Sequence, residues 1–165
     1  MNHVAILRKD WGFLEKILSG NLLSHPPTPK ASDGHSKASA RQRKTIESRW
    51  YKNKYRPWDA IKKEDVIYFK NSGELICIKA TVKKVIQYSQ LNPIRIKQIL
   101  STYGRNIGIE KNDMPKFYKI LAHKKYCILI FLKNPQKIKP FQINKKGFGA
   151  MASWIVIENV NNIKL

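Results

Sequence analysis

Tyr126-Cys127-Ile128-Leu129-Ile130-Phe131-Leu132 is a nearly unbroken apolar run in a chain of 165 residues that carries 32 Lys and Arg. A run this short and this apolar reads as a strand covered on both faces, so it belongs at the centre of a sheet. Strand composition recurs at 4–7, 45–51, 65–70 and 153–157, and 75–88 reads as a long strand or a bent pair rich in Ile and Val. Asn71-Ser72-Gly73 is a turn between two of these. Helical spacing separates the strands. Asp10 is placed to cap a helix carrying Trp11, Leu14, Ile17 and Leu18, which Ser19-Gly20 would stop. Asn92-Pro93 opens a second, with Ile96, Ile99, Leu100 and Tyr103 as its stripe and Gly104 at its end. Asp113 caps a third, with Pro115 early and Phe117, Ile120 and Leu121 inside. Strands with long connections and about three flanking helices predict an α+β fold, its sheet curled into a small β-barrel.

One stretch has a different character. Residues 24–42 hold no Val, Ile, Leu or aromatic side chain, but Pro26, Pro27, Pro29, Gly34 and several Ser and Lys. This composition predicts a disordered insertion, bounded at 22–42, within a single domain spanning 1–165. The remaining sequence supports a core, since 42% of the chain is hydrophobic. The formal charge is +21. Such a surplus repels itself in the folded state and is relieved by a polyanion, nucleic acid before an anionic membrane. No apolar run approaches the roughly 18 residues of a membrane span, and Arg8, Lys9 and Asp10 cut short any leader-like apolar start. No lipidation motif is visible. Cys77 and Cys127 lie in strand-like runs and read as buried free thiols of a reducing, cytoplasmic compartment. His3, His25, His35 and His123 are scattered without ligand spacing, so neither a metal nor another cofactor is expected. No feature specifies an oligomeric state.

The segment Arg43-Lys44-Thr45-Ile46-Glu47-Ser48-Arg49-Trp50 carries the most chemistry. On a strand, Ile46 and Trp50 share one face and Thr45, Glu47 and Arg49 the other. That second face is either the floor of a cleft or a solvated surface with a Glu47–Arg49 ion pair. As a floor, Arg49 would hold a phosphate or carbonyl oxygen, Glu47 would accept a hydrogen bond or act as general base, and Lys44 would reach the same ligand. Tyr51 and Tyr55, interleaved with Lys52, Lys54 and Arg56, combine rings that stack bases with cations that hold phosphates. Trp50 and Trp58 in the same stretch read equally as core. Lys145 and Lys146, with Lys133, Lys137 and Lys139, surround Gly147-Phe148-Gly149, where backbone N–H groups could approach a phosphate. The alternative there is an ordinary turn in a basic loop.

Lys44-Thr45-Ile46-Glu47-Ser48-Arg49 resembles the signature of ASCH domains, members of the PUA-like β-barrel superfamily. The likeness extends to Ile61-Lys62-Lys63-Glu64-Asp65-Val66-Ile67-Tyr68-Phe69, with Glu64 where the family usually has glycine, and to Lys139-Pro140-Phe141 and Gly147-Phe148-Gly149 ahead of Ser153-Trp154-Ile155. In the family a glycine stands two residues before the lysine; here Gly20 is separated from Lys44 by the low-complexity segment. Closing a longer loop costs little extra, so the site survives if the loop's ends lie together. The resemblance implies a PUA-like barrel with a cleft for nucleic acid, most simply RNA that is single-stranded or modified, or for a modified nucleoside. It leaves two alternatives. One is a hydrolase, acting on acetylcytidine or as a ribonuclease, with Lys44 and Glu47 as catalytic residues, although Glu47 occupies the position of the amidohydrolases' threonine. The other is a reader of a modified DNA base. Enzymatic activity is therefore open. The nucleic-acid-binding set implied is Lys44, Thr45, Glu47, Arg49, Tyr51, Lys52, Lys54, Tyr55, Arg56, Lys145 and Lys146.

Overall fold

In a computed structural model, residues 1–19 and 43–165 are described; the insertion expected at 22–42 lies outside them. Six strands are present: β1 (Asn2–Leu7), β2 (Ile46–Tyr51), β3 (Val66–Asn71), β4 (Ile76–Tyr88), β5 (Tyr126–Phe141) and β6 (Trp154–Ile157). Three helices accompany them: α1 (Phe13–Leu18), α2 (Pro93–Ile107) and α3 (Met114–Leu121). They form one sheet in the order β2-β5-β4-β3-β1-β6, antiparallel except for the parallel β1–β3 pair. The apolar run lies in β5, one strand in from the β2 edge and beside the long β4. Ile128, Leu129 and Ile130 are wholly buried, as a strand covered on both faces requires. β5 extends past Leu132 to Phe141, where lysines alternate with apolar residues, and it follows β4 through three register shifts. Each shift adds local twist and bend to the pair. The sheet therefore curls into a half-barrel.

The main core fills the hollow of that curl. Ile96, Ile99, Leu100 and Ile107 of α2, Phe117 and Leu121 of α3, and Phe13, Leu14 and Ile17 of α1 pack there on Ala5, Phe69, Ile78, Ala80 and Ile130. A smaller cluster of Val4, Ile76, Ile143, Ile155 and Val160 covers the outer face. Cys127 is buried and Cys77 half-buried, so the two thiols do not share the enclosed setting expected of them.

Three helix boundaries differ from the sequence reading. Asn92 caps α2 as expected, its Oδ1 accepting the Arg95 N–H at 2.8 Å. Gly104, however, lies inside that helix, where its bare Cα leaves room for the Met114 side chain. The helix ends at Gly108, whose φ of 101° is left-handed and whose N–H bonds back to the Gly104 and Arg105 carbonyls. Asp10 does not cap α1; its carboxylate takes the Arg8 guanidinium at 2.9 Å, and Gly12 stands at the cap position. Asp113 makes no side-chain cap either, because it ends a 3-10 turn that feeds directly into α3. Among the described residues no helix is long and apolar enough to cross a membrane.

Gly108 also sits where Lys44 and Phe13 close in: an added Cβ would lie 3.3 Å from Phe13 Cδ1 and 3.5 Å from Lys44 Cβ. Gly108→Ala is expected to destabilise the protein by about 1–3 kcal/mol through its positive φ, read as a lower urea midpoint with an unchanged slope.

Candidate functional site

β2 is tied down where the described chain resumes. The Lys44 N–H donates to the Lys16 carbonyl of α1 at 2.9 Å, and the Thr45 N–H to the Asn106 carbonyl of α2 at 2.8 Å. The chain on the two sides of 20–42 thus meets at α1, which is the condition for the intervening residues to leave the site intact. Alternation along β2 then separates two faces. Ser48 and Trp50 share one, with Trp50 Nε1 donating to Ser48 Oγ at 3.0 Å. Glu47 and Arg49 share the other, with Arg49 Nε 2.9 Å from Glu47 Oε1.

Lys44 and Glu47 are each only 2% exposed. The Lys44 ammonium lies 3.1 Å from Glu47 Oε2, donates to the Ile46 and Ile107 carbonyls at 2.9 and 2.7 Å, and sits 4.5 Å from the centre of the Phe13 ring. Ile107 is the last residue of α2, so the cation also meets the negative end of that helix. Burial lowers the Lys44 pKa, and Glu47 opposes this. Arg49 reaches across the barrel mouth. Its Nη2 lies 3.4 Å from the Ile6 carbonyl of β1, and its guanidinium carbon is 4.9 Å from the Trp154 ring centre of β6. Both Glu47 Oε2 and Arg49 Nε approach their partners at ion-pair distance but off the hydrogen-bond line, and both remain buried without a hydrogen bond.

Glu47 and Arg49 form part of the floor of a cleft of about 350 Å³. Trp11, Phe13 and Phe117 supply aromatic walls, and Trp50, Tyr51, Ser153, Arg8 and Lys124 lie at its edges. Burial pushes the Tyr51 phenol up to about 12, so it is a proton donor at neutral pH, held by the Arg56 carbonyl at 2.9 Å.

Of the residues singled out from sequence, the structure brings Glu47, Arg49 and Tyr51 together in this cleft. Lys44 braces it from behind and does not line it. Thr45 is off the cleft, its hydroxyl accepting from Asn106 Nδ2 at 3.2 Å. Tyr55 stands edge-on to Tyr51 with ring centres 6.0 Å apart, and it is exposed with Lys52, Lys54 and Arg56. Lys54 leans over Trp58 and Tyr126. Trp50 and Trp58 pack against the core. Lys145 and Lys146 belong to another part of the surface, beyond β1. Sequence reasoning did not find the cleft's walls: Trp11, Phe13 and Phe117 have the same helical spacing whether they face a core or a cleft.

It also passed over His3. This residue is wholly buried between Trp154 and Asp65. Trp154 Nε1 can only donate, so His3 Nδ1, at 3.1 Å, is the acceptor and Nε2–H donates to Asp65 Oδ2, also at 3.1 Å. Burial lowers the His3 pKa against the pull of Asp65. Burial raises the Asp65 carboxyl, but the Lys62 N–H, His3 and the Met1 amino group outweigh this and hold it below its ordinary range. His3 thus orients the indole on which Arg49 rests.

No protein-family model and no curated protein matches the sequence. Solved structures do resemble the fold. The crystal structure of a tyrosine-to-phenylalanine variant of an ASCH protein from Zymomonas mobilis aligns with a TM-score of 0.58 at 15% identity, covering 98% of this chain and 93% of that one. Another crystal structure of ASCH from Zymomonas mobilis aligns at 0.52 and 15% identity, covering 84% and 71%.

Two outcomes are expected. Glu47→Gln leaves the Lys44 ammonium buried without its counter-charge and is expected to destabilise by about 3–5 kcal/mol. Adding Lys44→Met should recover part of that loss, giving a non-additive cycle in urea unfolding. Acid is expected to weaken the fold through His3. Its folded pKa lies below the unfolded value, so its contribution is complete above about pH 6.5 and declines as pH falls through that value. His3→Gln should flatten the fall in melting temperature between about pH 7 and 5.

Proposed function

The chain has the fold of ASCH domains, the PUA-like curled barrel, and from that fold and its cleft we propose that it binds nucleic acid by taking one unpaired or modified base, most simply of RNA, into the Arg49 cleft. The observation that carries this reading is the pairing of an aromatic-walled cavity with a floor that holds a carboxylate and a guanidinium side by side, Glu47 and Arg49. A nucleobase offers a flat ring for the walls and a mixed donor and acceptor edge for the floor. A cavity of about 350 Å³ suits a single base or nucleoside and is too small for a duplex. The exposed Lys52, Lys54 and Arg56 beside Tyr55 would hold the adjoining backbone, and the charge of +21 would draw the strand in.

A hydrolytic use of the same floor would have Glu47 activate water beside Arg49. The placement of Lys44 argues against the lysine-dependent form, because its ammonium is committed to Glu47 and two carbonyls behind the cleft. We therefore place binding first.

Fluorescence titration with short single-stranded RNA tests the reading. Arg49→Met is expected to weaken binding about ten- to hundredfold, the worth of a hydrogen bond to a charged group. Wild-type log K should fall steeply with log salt. Undiminished affinity in Arg49→Met, or affinity flat in salt, would contradict the proposal. Turnover of acetylcytidine or RNA by the wild-type protein would favour the hydrolase instead.

A further inference from the structure

Ile6, whose carbonyl receives Arg49 at the first cleft, also lines a second cleft of about 350 Å³. Its polar lining includes Lys70 of β3, Ser72, Glu74, Gln142 and Lys145. Lys70 is the unusual member. It is only 8% exposed, yet among the described residues its ammonium has neither an ion pair nor a hydrogen bond. Glu74, the carboxylate of this cleft, is already engaged by Lys9 at 2.7 Å and by Asn71 Nδ2 at 2.9 Å. The other nearby charge is a second cation: Lys145, which gives one hydrogen bond to the Ala150 carbonyl at 3.2 Å. Burial lowers the Lys70 pKa and Lys145 lowers it further, with Glu74 opposing.

Two lysines at one cleft, one of them with its stem buried and its ammonium unpaired, form an arrangement that an anion would complete. The backbone beside them is open to one. Gly73 has a φ of 79° and nothing within 4 Å of where a Cβ would stand, so the turn after β3 presents bare main chain beside the Ser72 hydroxyl. Lysine ammonium groups and a hydroxyl are groups that hold phosphate oxygens, while the Ser72 and Glu74 N–H groups are already bonded to the Leu7 and Asn71 carbonyls.

We infer that the cleft between Lys70 and Lys145 is a phosphate site, and that it takes a backbone phosphate of the strand whose base occupies the Arg49 cleft. The first half stands on this cleft alone; the second rests on the function proposed above. Because Ile6 is shared by the two clefts, one strand crossing β1 would engage both. Removing Lys70 therefore removes one phosphate contact and leaves the base cleft as it was.

Two measurements on the full chain test this. The first follows amide NMR signals during titration with inorganic phosphate at constant ionic strength, with chloride as control. Saturable shifts at Ser72, Gly73 and Lys145 are expected, and they should vanish in Lys70→Met. The second compares the salt dependence of binding to short single-stranded RNA. Lys70→Met is expected to make the log K against log salt slope shallower by about 0.7, the value of one phosphate contact on a single strand. Lys70→Met keeps the stem while removing an unpaired charge beside Lys145, so its melting temperature should equal or exceed that of wild type. Lys145→Gln, at a partly exposed position, gives an independent variant. Phosphate shifts with an unchanged RNA slope would assign the site to free phosphate and overturn the strand half. Phosphate shifts no larger than those from chloride would overturn the site itself. The phosphate titration contains no base, so it can succeed even if the proposed base cleft is wrong.

Discussion

Arg49 joins the two ends of the curled sheet. It stands on β2, at one edge, and contacts the Ile6 carbonyl of β1 and the Trp154 ring of β6, at the other. A guanidinium can be drawn this far from water only with a counter-charge, and Glu47 provides it at 2.9 Å. Glu47 in turn meets Lys44, which two main-chain carbonyls hold in place. The three residues leave one net positive charge at the barrel mouth. Burying such a network gains little over packing hydrophobic side chains of similar volume. The binding proposed above would give the network a role beyond stability.

Much of this was legible in the sequence. The period of two along β2 placed Glu47 and Arg49 on one face and Ser48 with Trp50 on the other, because strand pleating permits nothing else. It misplaced Thr45, and Lys44 does not line the cleft, because both precede the regular strand: there the main chain is bonded to α1 and α2, and the side chains follow those anchors. Gly104 and Gly108 look alike in sequence as helix ends. Packing distinguishes them, one making room for Met114 and the other adopting a left-handed φ. Glu64, where the ASCH pattern has glycine, adopts a positive φ of 71°, a conformation that glycine favours. Lys133 pairs with its carboxylate at 2.7 Å.

The cations are not all equivalent. Lys44 is structural, Lys54 leans over aromatic rings, and Lys133 is paired. Lys70 has a buried stem and, among the described residues, no partner for its ammonium. Composition alone announces a polyanion partner; only packing separates the lysines that brace the fold from those left to meet a ligand. On the proposed reading the two clefts would divide the work as is common in nucleic-acid recognition, in which phosphate contacts position a strand and base contacts discriminate.

Ultraviolet crosslinking of the full chain to short single-stranded RNA, with adducts mapped by mass spectrometry, tests the central claim most directly. If a base enters the Arg49 cleft, adducts will concentrate on Trp11, Phe13 and Phe117, and free nucleoside will compete them away. Adducts confined to the lysine-rich stretches of β4 and β5, with none on the cleft walls, would contradict it.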